Sequence, residues 1–197
     1  MYENKQITEP KWKSWIIQTT TPLFTPDQCN QIIASGRAQK PQEAQVGMNK
    51  PGGGTDTKKR VTTISWIPFQ EMGHMYQDLN SFIQKANENH FGFGDIQVTE
   101  NAQFTEYPEG GFYDWHMDCD VNMAHEPPVR KISMTLLLND PSEFEGGDLE
   151  LMAPGKFANL KQGHAICFAS FLNHRVNPVT RGMRQSLVVW FGGKPFR

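Results

Sequence analysis

The sequence predicts an α+β fold in which N-terminal helices pack on a C-terminal β core, and three observations predict it. First, Phe69, Met72, Tyr76, Leu79, Ile83 and Ala86 step by three and four, the spacing of one apolar helix face. Second, from residue 96 the chain changes to short alternating segments separated by Gly and Pro clusters, the pattern of a sandwich, barrel or jelly roll. Third, 197 residues suit one domain and suffice to bury a core. The expected organisation is a single domain over 1–197, with a helical and strand flank at 1–95 and the β core at 96–192.

Residues 15–18 (WIIQ) read as a first short strand. Thr25-Pro26-Asp27-Gln28 is a helix start: a Thr N-cap, Pro at the first helical position, and Gln where a capping box needs it. That helix should turn Ile32 and Ile33 inward and end near Gly36. Residues 40–59, with Pro51-Gly52-Gly53-Gly54, cannot build a core and read as a loop. A loop this long in a compact domain is a candidate lid over a substrate. Lys58-Lys59-Arg60 at its end reads as a solvated basic cluster. Residues 60–67 read as one strand, ended by Pro68, and the long helix should run over 69–89. Further strands are expected at 97–107, 112–118, 130–138, 148–152, 164–168, 174–179 and 184–191. Turns separate them at 108–111, 139–141, 146–147, 153–155 and 181–182.

Composition narrows the function classes. The formal net charge of −2 supplies no broad positive field for nucleic acid or an anionic membrane. Three scattered cysteines, Cys29, Cys119 and Cys167, lack the pairing or spacing of a disulfide framework or a cysteine zinc site. The first residues lack the apolar stretch of a signal peptide, and no segment is long and apolar enough to span a bilayer. The expectation is a soluble, cytoplasmic protein.

The chemistry centres on His116-Met117-Asp118. Residues two apart on a strand share a face, so imidazole and carboxylate converge. Alternation alone does not force the choice, because Asp114 and Asp120 share that face. His174 is the candidate third ligand, with His164 and His125 as alternatives. Two histidines and one carboxylate make a facial triad for non-haem iron, with three positions left open. Ten residues after His174, Arg184 and Ser186 share a strand face among Leu187, Val188, Val189 and Trp190. A guanidinium fork beside a hydroxyl suits a carboxylate. Tyr113, Trp115 and Trp190 fit a pocket lining and core packing equally well.

Taken in order, Gln103-Phe104-Thr105-Glu106-Tyr107, Gly110-Gly111-Phe112-Tyr113-Asp114-Trp115-His116-Met117-Asp118, Arg130-Lys131-Ile132-Ser133, Leu138-Asn139, Glu145-Gly146-Gly147-Asp148-Leu149 and His174-Arg175-Val176 with Arg184 and Ser186 carry a resemblance. Over roughly residues 95–192 the chain resembles the 2-oxoglutarate and iron(II)-dependent dioxygenases, in their prolyl 4-hydroxylase-like branch. The resemblance implies a double-stranded β-helix (jelly-roll) core. It implies that His116, Asp118 and His174 hold iron(II), and that Arg184, helped by Ser186, pairs with the far carboxylate of 2-oxoglutarate. Tyr107 matches a tyrosine that reaches the cosubstrate. The chain departs from relatives at Leu136, where they carry a cosubstrate-binding tyrosine, with Thr135 or Tyr107 as compensation.

The implied reaction consumes 2-oxoglutarate and dioxygen, with ascorbate as an accessory, and hydroxylates an unactivated C–H bond. The substrate implied by the branch is a prolyl residue of a peptide or protein. The alternatives are a free amino acid or other small molecule, or a cupin-like binding module without turnover.

Overall fold

The structure, a computed structural model, describes residues 14–43, 59–119, 128–151 and 160–196. The expected lid, apart from its ends, lies outside the described residues, as do Asp120, His125 and the turn at 153–155.

The first half of the chain contributes β1 (Ile16–Gln18), α1 (Pro26–Ala38), β2 (Gln42–Glu43), β3 (Arg60–Val61), β4 (Thr63–Ile67) and α2 (Gly73–Ala86), which runs into a π-helical turn at Asn87–Phe91. Next come β5 (Gln97–Val98), β6 (Ala102–Tyr107), β7 (Phe112–His116), β8 (Val129–Leu137), β9 (Phe144–Gly146) and β10 (Leu149–Leu151). The last strands are β11 (Ala165–Ala169), β12 (His174–Val176), β13 (Val179–Gly182) and β14 (Arg184–Gly193). One sheet runs β1-β11-β8-β14-β6-β4-β2, with β5 also on β14; a second runs β10-β12-β7-β3. The two sheets make the expected jelly roll, with both helices packed outside the larger one.

Local chemistry explains the elements. Thr25 caps α1 through a full capping box, its hydroxyl accepting from Gln28 N–H while Gln28 Oε1 accepts from Thr25 N–H. The helix buries Cys29, Ile32, Ile33 and Gly36. It ends at Ala38, near Gly36 as expected. A Cβ at Gly36 would fall 2.3 Å from the Phe104 ring, so this glycine lets α1 press onto β6.

The long helix starts at Gly73, later than the periodicity suggested. Pro68 is followed by a turn in which Glu71 N–H donates to the Pro68 carbonyl, so Phe69 and Met72 precede the helix. Phe69 still packs on Tyr76, ring centroids 4.4 Å apart. Gly92, at φ 73°, closes the π turn.

The larger sheet has two faces of opposite character. Ile132, Met134, Leu136, Leu187, Val189 and Phe191 join Ile32, Leu79 and Ile83 in the main core. Their neighbours Ser133, Thr135, Arg184 and Ser186 are equally buried but polar. Alternation puts them on the other face, toward the smaller sheet. Tyr76 ties the layers: its hydroxyl donates to the Ile67 carbonyl and accepts from Ala102 N–H at 2.7 Å.

The expected single strand at 60–67 is two strands in different sheets. Arg60 pairs with Tyr113 on β7, whereas Thr63 pairs with Glu106 on β6. Between them Thr62 leaves both ladders and its hydroxyl donates to the Glu106 carbonyl, 2.7 Å. Strand β9 was unexpected. The Gly-rich stretch around 146 reads as a turn, yet its first residues pair with β13. The segments expected at 97–107 and 174–179 likewise each divide in two.

Candidate metal centre

His116 ends β7 and His174 begins β12, and the pairing of those strands sets them directly opposite. Asp118 lies just past β7, so alternation along one strand does not account for its placement. Its N–H and that of Cys119 both donate to the Ser170 carbonyl, each at 3.0 Å. The loop leading to His174 therefore fixes the carboxylate.

The three side chains converge. Asp118 Oδ1 is 3.8 Å from His116 Nε2, and Oδ2 is 3.5 Å from His174 Nε2. All three donor atoms lie within 4.8 Å of one another. Cis ligands at about 2.1 Å from an ion stand roughly 3 Å apart, so both measured gaps exceed a closed set by less than about 1 Å. Each imidazole is prepared by its other nitrogen. His116 Nδ1 meets the Asp114 carbonyl at 2.7 Å, and His174 Nδ1 meets the Leu172 carbonyl at 3.0 Å. A carbonyl only accepts, so both Nδ1 atoms carry the proton and both Nε2 lone pairs face the centre.

Packing and charge complete the preparation. Tyr113 stacks on His116 at 3.5 Å between centroids, and Phe168 meets His174 edge-on at 4.5 Å. Burial and the neighbouring His174 lower the His116 pKa to about 4, so that ring is neutral near pH 7. Burial raises the Asp118 pKa, but the two imidazoles and the Ser133 hydroxyl outweigh it, so the net shift is downward and the carboxylate stays ionised. Ser133 donates to Asp118 Oδ2 at 2.6 Å, and Ser170 lies 2.9 Å from Ser133 Oγ. With its proton committed to Asp118, Ser133 accepts from Ser170. A nitrogen-and-oxygen donor set with one anion fits a divalent first-row metal.

Of the alternatives, Asp114 is exposed and contributes its carbonyl instead. His164 joins β11 to the segment after β1, its Nδ1 3.1 Å from the Thr19 carbonyl, and is no part of the cluster. Trp115 packs under Arg175, whose Cζ is 4.9 Å from its ring.

Arg184 is 3% exposed, yet among the described residues it meets no carboxylate. One terminal nitrogen donates to Ser186 at 3.0 Å, and the guanidinium carbon lies 5.6 Å from the Tyr107 ring centroid. Tyr107 sits directly across the ladder. Burial pulls the Arg184 pKa down while Tyr107 and Asp148 hold it up. Gly147 makes room for it: a Cβ there would fall 2.7 Å from Arg184 Cδ, and φ is +68°. A buried cation with neutral partners is costly unless an anion joins it.

Leu136 corrects an expectation. It is fully buried in the main core among the helices, so it faces away from the metal centre. Thr135 and Leu137, one residue to either side, face the interior. Leu137 is paired with Ser186, and this apolar residue is the one beside that hydroxyl.

Sequence reasoning misplaced Arg60. Arg60 is half-buried rather than solvated. Its Cζ lies 4.3 Å from the Tyr113 ring and one terminal nitrogen donates to Gln103 Oε1 at 3.0 Å. Among the described residues its buried Nε meets no acceptor. The pairing of Arg60 with Tyr113 was invisible while 60–67 read as one strand. Trp190, directly across from Ser133, lies under Arg130 at 3.8 Å and also buries an unpaired N–H. Arg130 itself is held bidentately by Glu100 at 2.7 and 2.6 Å.

Known proteins resemble this chain over the same region. The sequence model of the 2OG-Fe(II) oxygenase superfamily matches residues 102–192. A PKHD-type hydroxylase of Acidovorax ebreus is 34% identical over 93 residues, covering 45% of this chain and 41% of that one. The chain thus spans about two fifths of the length of the first curated relatives it matches. A viral collagen prolyl hydroxylase from Paramecium Bursaria Chlorella virus-1, solved with 2OG, shares the fold with a TM-score of 0.70 at 16% identity, over 91% of this chain and 97% of that one. A Trichoplax adhaerens prolyl hydroxylase in complex with a hypoxia inducible factor peptide fragment gives 0.64 at 18% identity, over 91% and 84%. No helix among the described residues is long and apolar enough to cross a membrane.

Proposed function

We propose that this protein, whose residues 102–192 match the sequence model of the 2OG-Fe(II) oxygenase superfamily, is a 2-oxoglutarate- and iron(II)-dependent dioxygenase that hydroxylates a C–H bond, foremost of a prolyl residue in a peptide or protein. The observation that carries the reading is the pairing of two prepared features in one interior: a His116–Asp118–His174 donor set and a buried Arg184 that makes no salt bridge among the described residues. A cupin-like sugar- or metal-binding module without turnover does not need the two together. The peptide substrate is supported by the names of the structural neighbours, one of them solved with a peptide.

His116, Asp118 and His174 would hold iron(II), which with dioxygen and 2-oxoglutarate supplies the oxidising power; ascorbate is the expected accessory reductant. Everything else falls to the chain. The Asp114 and Leu172 carbonyls fix both imidazoles in the binding tautomer. Ser133 holds Asp118 Oδ2 and turns Oδ1 toward His116. Arg184 and Ser186 take the remote carboxylate of 2-oxoglutarate, and Tyr107 lines that end. Val188, Leu137 and Ile166 wall the interior with apolar groups and limit water.

The test is incubation with iron(II), 2-oxoglutarate and proline-containing peptides under air. The expected products are succinate and a peptide heavier by one oxygen. No succinate above an Arg184→Ala, His174→Ala control would refute the reading. Hydroxylation of free proline but of no peptide would shift it to the small-molecule alternative.

A further inference from the structure

Six arginines lie among the described residues, and four have a glutamate partner: Arg37 with Glu106, Arg130 with Glu100, Arg175 with Glu150 and Arg181 with Glu145. The two without one are Arg184 and Arg60, and both face the jelly-roll interior. The proposed cosubstrate brings one remote carboxylate, and Arg184 takes it. Arg60 is left over.

It is not a second hand on the same anion. Arg60 contacts Gln103, whereas Arg184 lies across from Tyr107, four residues further along β6. That is about 13 Å at a strand rise of about 3.3 Å per residue. Arg60 instead lies against Tyr113, which stacks on His116, so it sits one ring away from the metal centre. Among the described residues its partners are an amide oxygen and an aromatic face, both neutral, and its buried Nε–H meets no acceptor. Arginine presents its donors in a planar fork. With one terminal nitrogen on Gln103, the Nε edge of the fork is the unsatisfied one.

We propose that Arg60 is a specificity-determining residue that binds a carboxylate carried by the substrate close to the carbon to be hydroxylated. Two sources offer that chemistry: an acidic side chain beside the reacting residue of a peptide, or the α-carboxylate of a C-terminal residue or free amino acid. The inference rests on the hydroxylase reading and names the substrate class that reading leaves open. Tyr113 acts as the platform. It carries the guanidinium on its ring and keeps it beside His116 without offering a competing charge.

The probes are a blocked peptide with an internal proline between glutamates, its glutamine counterpart, a peptide ending in proline as free acid and as amide, and free proline. Binding is read by tryptophan fluorescence under anaerobic conditions with manganese(II) and 2-oxoglutarate, and turnover by the mass gain of one oxygen. A charge-assisted pair predicts roughly tenfold to hundredfold tighter binding of a carboxylate probe than of its neutral counterpart. Arg60→Gln should erase that ratio, and Arg60→Lys should retain part of it. A preference for the glutamate peptide assigns the site to an acidic side chain; a preference for the free acid or free proline assigns it to an α-carboxylate. Equal binding of charged and neutral probes, or an unchanged ratio in Arg60→Gln of native thermal stability, overturns the inference. Absence of turnover with every probe would overturn the hydroxylase reading instead, while the binding ratio still decides Arg60.

Discussion

Replacing Ser133 by alanine tests how the centre is held. The substitution removes one oxygen. Ser133 Oγ donates to Asp118 Oδ2 at 2.6 Å, and both side chains are buried, Ser133 completely and Asp118 at 8% exposure. A hydrogen bond to a charged group contributes about 1.5–3 kcal/mol, and outer partners of a metal ligand typically govern affinity by about tenfold to a hundredfold. Ser133→Ala should therefore weaken iron(II) binding by that factor. It should leave 2-oxoglutarate affinity, measured with the metal saturating, within about threefold, because Arg184 is untouched. It should also make metal binding fail at a higher pH than in the parent. The Asp118 carboxyl is held below its usual range partly by this hydroxyl, and its loss raises the pKa. A carboxylate whose folded pKa is depressed contributes above the unfolded value and loses that contribution as pH falls through the folded pKa. The variant's acid limit thus moves upward. Anaerobic iron titration between pH 4 and 7 measures both effects. Equal affinity and an unmoved acid limit would show that the Ser170 carbonyl alone fixes Asp118, and the argument would fail.

Arg184→Ala should raise the 2-oxoglutarate requirement by about a hundredfold or more with little change in iron affinity; equal losses in both would indicate misfolding. Gly147→Ala should act on the same arginine indirectly, since its Cβ would strike Arg184 Cδ at a position with φ of +68°; a normal cosubstrate KM would count against that. Tyr76→Phe should cost about 1–3 kcal/mol in urea unfolding, because Ala102 N–H and the Ile67 carbonyl both lose their partner in the interior. Gly36→Ala should destabilise by about 1–3 kcal/mol through overpacking against Phe104, and an unchanged urea midpoint would show that α1 can shift.

What the sequence made legible was local. The Thr25–Gln28 box, the stripe from Tyr76 to Ala86 and most of the strand starts depend on neighbours within a few residues, and they appear where the pattern puts them. The triad was legible as residue types, and the strand pairing that sets His116 against His174 agrees with it. What stayed hidden depends on pairing between distant segments. Nothing near Thr62 marks the place where one apparent strand passes from one sheet to the other, so Arg60 read as part of a solvated basic cluster. Leu136 sits in an apolar run, Leu136-Leu137-Leu138, in which alternation leaves no trace. Only the register against β14 shows that Leu137 looks inward and Leu136 outward. Ser170 carries no local signal at all, because its role comes from a backbone carbonyl.

Strand β14 carries Leu187, Val189 and Phe191 on one side and Arg184, Ser186 and Trp190 on the other. The side chains that stabilise the molecule and those assigned to its chemistry are thus interleaved at a period of two. Inserting or deleting a single residue near Gln185 would exchange the two sets over part of the strand, sending polar groups into the packed layer and leucine toward the metal. Point substitutions here are graded in effect; a frame slip is not. Variation in length should therefore be absorbed in the connections flanking this strand, and libraries built for altered substrate preference can vary the inward positions of β14 freely only while its residue count is kept fixed.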